Sequence, residues 1–249
     1  MPMEIRHLFN LDKVDSSWRD CLIQALTKVD PAYLAELNNH TQWLPGPEKI
    51  FNAFTLPINK INYVLLGESP YPRPESANGY AFWDASVTDL WSATGLSKSV
   101  NRATSLRNLI KMLLLAKGAL HPQKMSQADI AQINKDGLVK TNHAFFNNFL
   151  SSGFLLLNTS LVLQSTPVRK DAKAWQPFLL HLLNFLYHQR PHIRMILLGN
   201  LANAVEKLIK HLPIKTLHAE HPYNISFIFN PSVLAFFKPL DLLSVKSFS

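Results

Sequence analysis

Tyr63-Val-Leu-Leu-Gly-Glu-Ser-Pro-Tyr-Pro-Arg-Pro-Glu-Ser-Ala-Asn-Gly-Tyr-Ala-Phe-Trp-Asp84 is the stretch from which the fold can be read. It opens on a continuous apolar run, 63–66, too short for a typical helix and stopped by Gly67 and Pro70. That pattern predicts a strand buried on both faces, as in a parallel sheet. Ligands of open α/β sheets bind outside the carboxyl ends of the strands, so a functional loop starting at Gly67 places Glu68, Ser69 and Tyr71 at the rim of the crevice. Pro70, Pro72 and Pro74 restrict the backbone and predict a loop held in one shape, not a swinging lid.

Working outward, three more strands are expected, over 154–160, 194–199 and 214–219, the first two of them short apolar runs followed by polar or glycine residues. Helical signals fill the intervals. Asp15-Ser-Ser17 caps a helix whose apolar face is Trp18, Cys21, Leu22, Ala25 and Leu26, and Asp30-Pro31 starts a second. Leu44-Pro-Gly-Pro47 is a turn with Pro-started helix signals running into Phe54, and 83–102 has no clear period and is expected to be irregular. Thr104 or Ser105 caps a helix bearing Leu106, Leu109, Ile110, Leu113 and Leu114. Ser126-Gln-Ala-Asp129 is a capping arrangement, and Gly153 ends a helix over 142–152. A broad stripe predicts a helix over 174–189; Asn200 is placed to cap the next, and Asn230-Pro231 starts the last. With no internal repeat or linker, the expectation is one α/β domain over 1–249, a three-layer α/β/α sandwich on a central, mainly parallel four-stranded sheet, with packing helices over about 1–45.

Composition narrows the class. A chain of 249 residues, 47% of them hydrophobic, can bury a substantial core, so disorder is not the default. The single cysteine, Cys21, excludes an internal disulfide framework and a Cys-rich zinc site and suggests a reducing compartment. The stretch 1–17 lacks the layout of a signal peptide, and no apolar run is long enough to span a bilayer, so a soluble intracellular protein is expected, cytoplasmic or nuclear, with no membrane partner. Lys and Arg number 25 against 17 Asp and Glu, a formal charge of +8 that favours a polyanion such as nucleic acid. The lysines form no run, so a basic protein with dispersed charge accounts for the total equally well.

The quoted stretch resembles the central motif of uracil-DNA glycosylases, in which a strand ends in G-Q-D-P-Y-H and an aromatic of a following A/C-F-S element stacks on the base. The matching residues are Gly67-Glu-Ser-Pro-Tyr-Pro72 and Ala81-Phe82-Trp83. Ile50-Phe-Asn-Ala-Phe54 is similar to the family's F-N-A-F, and Phe154-Leu-Leu-Leu-Asn-Thr159 resembles its L-L-L-N-T. Leu197-Leu-Gly-Asn200 stands where the family has L-W-G-S, and the strand-to-His221-Pro222 junction resembles its H-P-S-P-L-S loop. Thr104-Ser-Leu-Arg-Asn-Leu-Ile-Lys-Met-Leu113 resembles the helix that follows a proline-rich DNA-pinching loop, although Asn101-Arg-Ala-Thr-Ser105 replaces the paired prolines.

The resemblance implies a monomeric DNA-binding protein that recognises a flipped uracil or related lesion without metal or cofactor. Phe82 would stack on the base, Asn158 would pair with its Watson–Crick edge, Tyr71 would exclude a 5-methyl group and His221 would donate to the carbonyl that gathers charge. Gly199 and Asn200 would meet DNA phosphate at a helix N-terminus, and Ile225 would fall near the duplex-entering wedge. The departure is Ser69, where most of the family has the aspartate that orients water and stabilises the cationic sugar. A neutral hydroxyl cannot offset that charge, and the loss is worth on the order of several kcal/mol of barrier. Glu68 is the obvious substitute, since another branch carries G-E-A-P-G here, but adjacent residues of an extended backbone point in opposite directions. Two readings follow: a glycosylase in which Glu68 or a Ser69-held water replaces the aspartate, or a non-catalytic DNA- or protein-binding module.

Taken singly, Phe82 reads equally as a core aromatic, Asn158 as a strand-end turn residue and His221 as a structural histidine. Asp84, after Phe82-Trp83, is another carboxylate near the proposed pocket, but reads more simply as a solvent-facing loop acid. Arg73, Arg169 and Lys170 read as phosphate contacts or solvated charges, and Arg102 and Arg107 as possible phosphate contacts. His211, His218 and His221 lack a metal-ligand spacing.

Overall fold

The computed structural model describes residues 9–40, 42–164 and 168–246; the stretch 1–8, at the start of the segment weighed above as a leader, lies outside the described residues, as does the side chain of Arg169. The first strand, β1, is Tyr63–Gly67. The later strands are β2 Trp91–Ser92, β3 Gly95–Leu96, β4 Phe154–Asn158, β5 Arg194–Leu198 and β6 Lys215–Ala219. Four of them form a parallel sheet in the order β4-β1-β5-β6. In the centre, β1 runs parallel to β4 from Tyr63 opposite Phe154 to Gly67 opposite Asn158, and parallel to β5 from Tyr63 opposite Arg194. The burial follows from this order. β4 is buried throughout and β1 from Val64 onward, whereas edge strand β6 buries only Leu217.

The chain divides into two compact units: Met1–Asp84, Gly153–Leu197 and Leu201–Thr216 make the first, and Ala85–Ser152, Leu198–Asn200 and Leu217–Ser249 the second. In the first, alternate strand residues Val64, Leu66, Leu155, Leu157, Met195 and Leu197 join one apolar core with Trp18, Leu22, Leu37, Trp175, Phe178 and Leu182. Helices Ser16–Leu26 and Pro31–Asn39 supply part of it, each capped by an aspartate, Asp15 or Asp30, accepting from a backbone amide two residues on. Asp171, 1% exposed, is hydrogen-bonded in place: Tyr33 donates to it at 2.7 Å and Gln164 at 2.8 Å through its backbone amide. In the second unit, Phe145, Phe146 and Phe149 of helix Asn142–Ser151 pack together, and Phe149 meets Phe237 of helix Pro231–Phe237.

Several local expectations are corrected. The 83–102 stretch holds a two-stranded hairpin, β2 with β3, and a short helix, Lys98–Arg102, capped by Ser97. Its strands are two residues long, too short to carry a period. The Pro47 signal leads only to turns and a 3-10 helix, Asn52–Phe54. Helix Thr104–Ala116 has Ala103 at its N-cap and no side-chain cap, because Thr104 is already its first turn. The long helix begins at Val168 and carries Pro177 in its interior. Pro177 is exposed, so the carbonyl deprived of a partner can be hydrated.

Candidate functional site

In the first unit, β1 and β4 end side by side at Gly67 and Asn158, and what Gly67 lacks determines the geometry. A Cβ there would lie 2.5 Å from Asn158 Oδ1 and 2.9 Å from the Ala81 Cβ, so only glycine lets the carboxamide and the returning loop close over the strand end. Asn158 is 3% exposed. The next turn is fixed by backbone: Thr159 N–H donates to Gly67 O at 2.8 Å, and Glu68 O accepts from Ser160 N–H at 3.0 Å and from Thr159 Oγ1 at 2.9 Å. With its backbone held, Glu68 projects an exposed side chain. Ser69 is half-buried, and its hydroxyl lies 3.5 Å from Pro70 O, too long for a strong bond.

The loop over 67–84 is closed by two braces of equal span. Tyr71 Oη donates to Phe82 O at 3.2 Å, and Arg73 Nη2 donates to Asp84 Oδ2 at 3.2 Å. Phe82 is half-buried and has φ +63°, a left-handed conformation in which a bulky aromatic persists only when its surroundings impose it. The return strand is pinned beside it: Ala81 N–H donates to Leu156 O at 3.1 Å, and Tyr80 lies against Trp83 with ring centroids 4.9 Å apart. Burial, then the Asp84 charge, pushes the Tyr71 phenol up from its ordinary value, with Arg73 opposing. It therefore stays a neutral donor to Phe82. Asp84 is 3% exposed, which overturns its reading as a solvent-facing acid; its partner Arg73, 58% exposed along the side chain, also faces Glu75 at 3.9 Å. Lys170 is engaged with Glu36 at 2.6 Å.

In the second unit the same logic holds Gly199 and His221. Gly199 has φ +68°, donates to Ala219 O at 2.9 Å, and leaves no room for a side chain, since a Cβ would approach the His221 Cβ to 2.8 Å. Asn200, exposed, directly precedes helix Leu201–Ile209. His221 begins a tight turn closed by Asn224 N–H to His221 O at 2.8 Å, with Pro222 at its second position. The Tyr223 amide donates to His221 Nδ1 at 3.1 Å. An amide can only donate, so Nδ1 carries the lone pair and the neutral ring bears its proton on Nε2. Asn108, 3% exposed on helix Thr104–Ala116, ties the turn down by donating to Pro222 O at 2.7 Å. Beside it, Glu220 is held below the usual carboxylate range by a backbone amide first, then by Asn230.

Sequence reasoning did not single out Asn108 or the Asp84–Arg73 pair. The signal for the first was a polar residue on the apolar stripe of its helix; the second is a pairing across eleven residues with no periodic trace. Among the described residues no three His, Cys, Asp or Glu side chains gather as a metal site requires, and no helix is long and apolar enough to cross a membrane.

Comparison with known proteins places this geometry. No protein-family model matches the chain. Curated relatives include the uracil-DNA glycosylases of Pseudomonas fluorescens, 27% identical over 221 residues (83% of this chain, 80% of that protein), and of Acinetobacter baylyi, 27% identical over 217 residues (83% and 78%). The crystal structure of the wild-type UNG of Nitratifractor salsuginis is 39% identical and superposes with a TM-score of 0.92, covering 99% of each chain. That of mimivirus uracil-DNA glycosylase, 19% identical and covering 86% of this chain and 72% of that one, shares the fold at a TM-score of 0.58. With its strand-end loops and a relative of such identity over nearly its whole length, the chain belongs to the uracil-DNA glycosylase superfamily.

Proposed function

We propose that this chain excises uracil, or a closely related base, from DNA by hydrolysing its N-glycosidic bond. The observation that carries the reading is the buried Asn158 carboxamide seated on Gly67, where any side chain would displace it. In this reading the base leaves the helix, stacks on Phe82 and pairs with Asn158, while Tyr71 blocks a 5-methyl group. As the bond from C1′ to the base breaks, its electron pair moves onto the base, and the neutral His221 donates from Nε2 to the carbonyl gathering that charge. A water then bonds to C1′ and releases a proton to a carboxylate or to solvent. Gly199 and Asn200 contact phosphate at the start of their helix, and Ile225, 72% exposed, enters the duplex.

The nucleophilic water is the open role. The Ser69 hydroxyl is half-buried and lightly engaged, which suits a water ligand; the exposed Glu68 carboxylate suits a proton acceptor at the rim. A second reading, a non-catalytic module that keeps base recognition, is favoured by one observation: position 69 carries no charge.

Single-stranded uracil DNA incubated with the parent, Glu68→Gln and Ser69→Asp, then cleaved with alkali, separates these. The catalytic reading expects strand breaks with the parent, lost in Glu68→Gln if that carboxylate accepts the proton. An inert parent that binds such DNA, and gains turnover as Ser69→Asp, establishes the binding module. A parent that neither binds nor cleaves removes both.

A further inference from the structure

We propose that Tyr223 is a second duplex-entering side chain, working beside Ile225 and stacking on a base left without its partner when the target nucleotide is flipped. The proposal rests on the DNA reading above and adds a contact of its own. Tyr223 and Ile225 are 68% and 72% exposed, the two most exposed of the large apolar side chains among the described residues. They stand two positions apart, Tyr223 in the turn and Ile225 directly after it.

Scattered surface apolar residues need no explanation, but these two sit on backbone that is unusually well held. Asn108 donates to Pro222 O at 2.7 Å and approaches Tyr223 O at 3.4 Å; the Tyr223 amide is taken by His221 Nδ1, and the Asn224 amide by His221 O. Asn224 is extended, with φ −79° and ψ 135°, and Ile225 opens the 3-10 helix Ile225–Phe229, whose Phe227 and Ile228 are buried as anchors. Main-chain groups are thus turned inward and satisfied while the two side chains face solvent. A rigid tip bearing an aromatic and a β-branched residue suits insertion between bases, where little order remains to be imposed on binding. An aromatic ring stacks on any base, so Tyr223 adds affinity without sequence preference. Charge is compatible with the same partner: the chain carries +8, and Arg107, which donates to Asn101 O at 3.0 Å, lies on the helix that tethers the turn.

The test compares the parent, Tyr223→Ala and Tyr223→Trp on duplex and single-stranded DNA containing uracil, with thermal melting of each variant. Stacking on an orphaned base predicts a loss of about 10-fold in kcat/KM for Tyr223→Ala on duplex, a much smaller loss on the single strand, and recovery in Tyr223→Trp. The slope of affinity against salt is unchanged, because no phosphate contact is removed. If the parent proves inert, affinity for duplex with an abasic site is read instead and the same ordering is expected, so a failed glycosylase reading and a failed Tyr223 assignment give different results. Parent-like duplex activity and affinity in Tyr223→Ala overturn the proposal. So does self-association of the parent abolished by that substitution with DNA binding intact, which would assign the tip to a second copy of the chain.

Discussion

Gly67 shows how much a missing side chain determines. Since its Cβ would fall 2.5 Å from Asn158 Oδ1, Gly67→Ala must move the carboxamide, and displacements of about 1 Å lower rates roughly 100-fold. The expected outcome is such a loss in kcat/KM on uracil DNA with affinity for abasic-site duplex retained, measured side by side. Tyr71 and Tyr33 give a pH signature. Burial leads the causes that push both phenols up from 10.0, with the charges of Asp84 and Asp171 adding to it. The unfolded chain therefore ionises first, and stability contributed by these groups is full below about pH 10 and lost as pH rises through the higher folded values. Melting temperatures should fall above that point, and less steeply in Tyr71→Phe. Cys21, 1% exposed, has its thiol pushed up to about 12 by burial and should react with an aromatic disulfide reagent only after unfolding.

At the scale of elements, the turn over 221–224 depends on one residue of a helix far away in sequence. Asn108→Ala leaves the Pro222 carbonyl without its donor, at an expected 1–3 kcal/mol, about the range of a buried unsatisfied group. Thermal melting should report that loss, and activity should fall further than stability because His221 and Tyr223 are released together. This contact also marks where sequence reading stopped. β1, β4 and β5 were legible because an apolar run flanked by glycine or polar residues is a local signal, and the ends of all four sheet strands fell within two residues of the expected positions. The caps at Asp15, Asp30, Ser126 and Asn230 were legible for the same reason. The β2–β3 hairpin was not, its strands being shorter than any period, and neither was the Asp84–Arg73 pair, because nothing in a loop sequence says which acid turns inward. Family likeness pointed to Phe82, Asn158 and His221; only coordinates supplied the left-handed backbone of Phe82 and the tautomer of His221.

For the whole molecule, the excess of basic residues translates into salt dependence. Affinity for duplex DNA should fall on a log–log plot against salt with a slope of about −0.9 per phosphate neutralised. Arg73→Gln should leave that slope nearly unchanged, since its guanidinium already faces Asp84 and Glu75. A slope shallower by a whole phosphate would instead make Arg73 a backbone contact.

The twin braces at Tyr71–Phe82 and Arg73–Asp84 bear on how a fragment of substrate behaves. In the proposed reading, a base site framed by a loop braced during folding asks no nucleic acid strand to shape it on arrival. Free uracil, with neither sugar nor phosphate, should then compete with uracil DNA for the parent and lose that competence when Arg73 or Asp84 is replaced by alanine.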